Sequence, residues 1–106
     1  ADTDWPQIVS LYDHLLELLP TAVVELNRAI AVGEVDGPTA ALADIDAVTS
    51  RLEEYHLVHA ARGEMLRRMG RFDEAQSAFE RAGALAPTEP ERRFLNKQIA
   101  ELSAGR

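Results

Sequence analysis

"GRFDEAQSAFERAGALAP", Gly70 to Pro87, decides the fold. Gly70 supplies a turn conformation that other residues adopt poorly, and Pro87 cannot continue a helix. Between them Ala75, Phe79 and Ala82 are spaced four and three apart, so they share one helix face. Small residues flanking one large aromatic are what a close helix crossing requires: the small ones let backbones approach and the ring fills the gap beside them. Upstream, Gly63 is the small residue expected on the facing helix.

The rest of the chain is read the same way. Asp4, with Gln7 three residues on and Pro6 near the start, predicts a first helix that Pro20 ends. Its apolar stripe is Ile8, Leu11, Tyr12, Leu15, Leu16 and Leu19. A second helix follows with Val23, Leu26, Ala29, Ile30 and Val32 inward, broken at Gly33 and Asp36–Gly37. Pro38 opens a third, with Ala41, Leu42, Ile45 and Val48 inward. Ser50 and Glu53 have capping-box spacing and predict a fourth helix from about Arg51 to Met69, with Leu52, Tyr55, Leu57 and Val58 among its inward residues. Phe72 to Leu85 is the fifth. Thr88 and Glu91 cap a sixth, to about Ser103, with Phe94, Leu95, Ile99 and Leu102 inward. No segment alternates with strand period.

The helices repeat. Thirty-four residues before Ala75, Phe79 and Ala82 stand Ala41, Ile45 and Val48; the same step takes Gly63, Leu66 and Arg62 to Ala29, Val32 and Arg28. Small falls on small and large apolar on large apolar. A further step takes Ile45 to Leu11. A period of about 34 with A-x3-F in the second helix and a closing proline is the tetratricopeptide pattern. The expected fold is all-α: antiparallel hairpins, about six helices in a right-handed α-solenoid. The divisions are a half repeat at 1–20, repeats at 21–54 and 55–87, and a capping helix at 88–106. His59 and Arg62 replace the usual first-helix tryptophan and leucine, and the upstream copy lacks its proline.

Composition bounds the function. The chain has 106 residues, 46% hydrophobic and 27% charged, which is enough for one packed domain. It has no cysteine, so no thiolate metal site or disulfide forms, in keeping with an expected cytoplasmic location. No apolar run reaches the roughly 20 residues of a bilayer span, and no signal peptide is visible. The first residue is alanine, as in a piece of a longer polypeptide. Residues 1–54 hold 11 acids and 2 bases, net −9, and residues 55–106 hold 7 acids and 9 bases, net +2. The acidic front half repels phosphate, so direct DNA binding by this segment is not expected; the opposed halves would suit a homodimer.

Enzymatic motifs are absent: there is no phosphate-binding glycine loop, no nucleophile elbow and no H-E-x-x-H. The expectation is a non-enzyme with no cofactor and no metal. Candidate partner-binding residues are Asn27, Arg28, His59, Arg62, Glu64 and Arg67. Arg28 and Arg62, one period apart, either brace a neighbouring helix through a carboxylate or carbonyl, or line a concave face and grip a partner's carboxylate. Asn27 beside Arg28 could fix a peptide backbone or cap a local turn. Glu64 and Arg67 join them by helical spacing, as do Val23 and Ile30. His59 fits the same polar cluster. His56 and His59 share a helix face but lack a third metal ligand. The basic run Arg67–Arg71 either complements a helix C-terminus or touches nucleic acid or an acidic partner.

Three stretches, "DWPQIVSLYDHLLELLP", "VVELNRAIAVGEVDGPTAAL" and "YHLVHAARGEMLRRMGRFDEAQSAFERAGALAPTEPERRFL", carry a resemblance over nearly the whole chain. It resembles the C-terminal tetratricopeptide-like extension of bacterial, actinobacterial-type, extracytoplasmic-function RNA polymerase sigma factors. Asn27–Ala29 and His59–Arg62 carry it best. The resemblance implies control of transcription initiation through contacts with protein: sigma domains of the same chain, core RNA polymerase or a regulator. It implies no catalytic residue.

Overall fold

The computed structural model describes residues 2–105. Among these are six helices, α1 (Trp5–Leu18), α2 (Ala22–Asp36), α3 (Pro38–Thr49), α4 (His56–Arg68), α5 (Phe72–Leu85) and α6 (Glu89–Gly105), and no strand. Helices α1, α3 and α5 begin at 5, 38 and 72, and α2, α4 and α6 at 22, 56 and 89, so each series advances by about one 34-residue step.

Local chemistry sets the helix ends. Asp4 Oδ1 accepts from the Gln7 amide at 3.1 Å and starts α1. The helix closes at Leu18, before Pro20 is reached, because Leu19 precedes that proline and is driven out of the α region, to φ −134°. The Thr21 hydroxyl accepts from Val24 at 3.2 Å to begin α2. Gly33 does not break α2 as expected. It lies inside the helix, buried, and the break falls at Gly37 alone, at φ 93°. A single helical glycine costs about 1 kcal/mol, which packing covers. The fourth helix also starts later than expected. Ser50 is the C-cap of α3 with helical backbone angles, φ −61° and ψ −26°, and not the extended ones of an N-cap. The chain instead makes turns, Arg51 N–H to Val48 O at 3.1 Å and Leu52 N–H to Thr49 O at 3.0 Å, and α4 begins at His56. Gly70, at φ 76°, ends it.

Two compact units divide after Leu52. In the first, α2 packs on both α1 and α3. Leu26, Ala29, Ala31 and Val32 of α2 are buried, as are Ala41, Leu42, Ile45 and Val48 of α3. Helix α1 has no buried residue. Leu11, Leu19 and Val23, expected inward, are 60%, 53% and 39% exposed. Within this unit α2 is the neighbour against which α1 packs, so its apolar stripe is wider than its cover.

In the second unit α5 packs on α4 and α6. Its buried set is Val58, Met65, Leu66, Ala75, Ala78, Phe79, Ala82, Ala86, Leu95 and Leu102. The α4–α5 crossing is fixed by Gly63: a Cβ there would lie 2.8 Å from Cδ1 and Cε1 of the Phe79 ring. Glycine is required at this point by contact rather than by backbone conformation. Leu57 and Phe94 were expected in the core and are not: they are 44% and 59% exposed. Phe94 directly precedes buried Leu95, so it sits about 100° around α6 from that inward residue.

Candidate protein-interaction surfaces

Arg28 extends from α2 between two helices. Its Nε donates to Asp13 Oδ1 of α1 at 2.5 Å, and its Nη1 lies 3.8 Å from Asp44 Oδ2 of α3. Arg51 pairs with Glu25 close by. Asp13, Glu25, Arg28 and Asp44 line a shallow groove of about 350 Å³ with Leu16, Ala47 and Val48. Three carboxylates, Asp13, Glu25 and Asp44, line it with one guanidinium, Arg28, and a second, Arg51, pairs with Glu25, so the groove keeps a net negative charge. For Arg28 to grip a carboxylate on another protein, it must first give up those it holds. Asn27 is exposed on α2.

The α4 candidates are held within the second unit. Glu64 accepts from Arg67 at 2.9 and 2.6 Å and from Arg68 at 2.8 Å. Burial alone would raise the Glu64 pKa, but the Arg67 and Arg68 hydrogen bonds and charges outweigh it, and the carboxyl titrates below its ordinary range. The same pairing raises the Arg67 guanidinium. His59 Nε2 donates to the Glu53 carbonyl at 2.8 Å. Arg62 is half-buried, and its charge adds to the effect of the Arg71 hydrogen bonds that lower the Glu74 carboxyl. His56 turns to α6 instead, with Nε2 at 2.8 Å from Glu91 Oε2. The two histidines therefore do not converge, and no group of three metal-ligating side chains occurs among the described residues.

The pairing around Glu64 gives a pH prediction. Its folded pKa lies below the unfolded value, so its stabilisation is complete above about pH 4.5 and is lost as pH falls through the folded value. Glu64→Gln should remove a contribution of about 1 kcal/mol or less near neutral pH and flatten the acid limb of the stability curve. Urea unfolding between pH 3 and 7 reads it; parallel acid limbs for the two proteins would show that Glu64 contributes nothing.

A groove that sequence reasoning missed lies between α4 and α6. His56, Leu57 and Ala60 form one wall, and Pro90, Glu91, Phe94 and Leu95 the other, around about 500 Å³. The Leu57 and Phe94 side chains stand exposed at it, and the His56–Glu91 pair closes one side. Glu91 Oε2 is out of contact with solvent, and His56 Nε2, 2.8 Å away, is the polar atom that faces it. Helical period assigns Leu57 and Phe94 to a core; only the finished packing leaves them as walls.

The geometry is that of a tetratricopeptide-type helical domain: six helices in sequential hairpins with a small residue against a large one at the crossing. The family model "Tetratricopeptide repeat" matches residues 56–89, which comprise α4, α5 and the connection to α6. An uncharacterized protein of Rhizobium meliloti (strain 1021) is 44% identical over 102 residues. That match takes in 96% of this chain and 24% of the relative, so the chain spans about a quarter of the length of that protein. No helix among the described residues is long and apolar enough to cross a membrane.

Proposed function

We propose that this chain is a non-catalytic protein-interaction domain whose docking surface is the α4–α6 groove. The observation that carries this is the pair of exposed apolar walls, Leu57 and Phe94, at a concavity of side-chain size. A partner's apolar side chain enters between them. The tetratricopeptide match at 56–89 supports a scaffold role, since repeats of this kind present grooves to other proteins. Of the candidate polar residues, His59, Arg62, Glu64 and Arg67 belong to the same unit as this groove and contribute polar contacts in this reading, after exchanging the ion pairs that some of them hold, while Asn27 and Arg28 belong to the first unit and are a separate candidate. A narrower reading makes the chain the regulatory extension of an RNA polymerase sigma factor, modulating initiation through sigma domains, core polymerase or a regulator, without touching DNA itself. The quoted sequence resemblance supports it.

Peptides selected from a display library on the wild-type chain should bind Leu57→Asp and Phe94→Ala at least tenfold more weakly, about 1.4 kcal/mol. Both side chains are exposed, so stability should move by only about 0.5 kcal/mol. Peptides that bind Leu57→Asp as tightly as wild type would place the site elsewhere. The narrower reading is tested separately, by titrating the chain into core polymerase and into isolated sigma domains; no association with either would leave the scaffold reading without its sigma partner.

A further inference from the structure

Leu11 occupies the place in α1 that Ile45 has in α3 and Phe79 in α5, at steps of 34. Ile45 and Phe79 are 0% and 2% exposed, whereas Leu11 is 60% exposed. In the second unit the cover for Phe79 is the preceding helix, where Gly63, 16 residues earlier, meets the ring. Ala29 stands 16 residues before Ile45 and is likewise buried. Helix α1 therefore has the character of the second helix of a hairpin, and its uncovered face runs from Leu11 to Leu18, which is 79% exposed. Two exposed leucines about two turns apart on one helix face are costly to leave in water.

A second copy of the chain offers α6 as cover, since α6 belongs to the same series as α2 and α4. The residue of α6 that corresponds to Ala29 and Gly63 is Lys97, exposed and without an ion pair among the described residues. A lysine stem there blocks the close approach that glycine permits. The curated relative, by contrast, has about three quarters of its length outside the matched region.

We propose that the Leu11–Leu18 face docks a helix supplied by the same polypeptide ahead of α1, as the first helix of a hairpin whose second helix is α1. The residue 16 positions ahead of Leu11 is then glycine, alanine or serine, at the crossing with Leu11. This goes beyond the groove at α4–α6 and is independent of it.

The chain contains no cysteine, so Leu11→Cys gives one reporter in residues 1–106. Maleimide labelling followed by peptide mass mapping compares that chain with the natural longer polypeptide carrying the same substitution. Labelling of residue 11 should be fast in the short chain and at least tenfold slower in the long one, while Glu17→Cys labels equally in both. Equal rates at residue 11 would overturn the proposal, as would a bulky residue at the 16-residue position. Protection in the short chain that grows with protein concentration would also overturn it and assign the face to a second copy.

Discussion

Phe79→Ala should destabilise the second unit by about 3–5 kcal/mol, the largest loss expected from any single truncation in the chain. The ring is 2% exposed and is the one aromatic side chain buried among the described residues. It lies on bare backbone at Gly63, so that position has no side chain to fill the space. Alanines at 75, 78 and 82 flank it on α5, and they too are short. The cavity should therefore stay largely open, which puts the cost toward the upper part of the range. Against a total stability of about 5–15 kcal/mol, this takes a third or more. Urea unfolding followed by circular dichroism gives the number. Amide exchange should show α4 and α5 losing protection together. A loss below about 1.5 kcal/mol would mean that Phe79 does not hold the crossing.

The importance of Phe79 could be read from the chain alone, and that of Leu57 and Phe94 could not. The Gly63–Phe79 crossing is written as a small and a large residue 16 apart, echoed by Ala29 and Ile45, and this pairing depends on one hairpin only. Helical period marks which residues share a face but not whether another element covers it. Leu11, Val23, Leu57 and Phe94 all continue apolar stripes, and each ends up exposed because cover is a tertiary property. The helix ends show a similar split. Asp4 and Thr88 cap as their spacing predicts. Ser50 matches the same pattern but is already committed to the end of α3. The arginines illustrate a third limit. Arg28 invites both a bracing and a gripping role, and the distances to Asp13 and Asp44 follow from where three helices place their side chains, which one helix's sequence does not encode.

Gly63→Ala tests the crossing from the opposite side. Alanine is the better helix former by about 1 kcal/mol, so on propensity alone the substitution should stabilise α4. The new methyl, however, would sit 2.8 Å from two carbons of a ring that is itself enclosed. Overpacking of this kind costs about 1–3 kcal/mol. The clash is with a rigid ring rather than the loose end of a flexible chain, so repulsion should win, with a net loss of up to about 2 kcal/mol. Gly83→Ala supplies the control. Gly83 lies in α5, and a Cβ there meets nothing within 4 Å. That variant should gain about 1 kcal/mol from the same propensity difference. A double-mutant cycle then isolates the contact. In a Phe79→Leu background the aromatic atoms nearest Gly63 are gone, and Gly63→Ala should become neutral or stabilising, with a coupling of about 1–3 kcal/mol. If Gly63→Ala cost the same in both backgrounds, its penalty would come from elsewhere in α4, and the small-against-large crossing would lose its place as the feature that sets the hairpin.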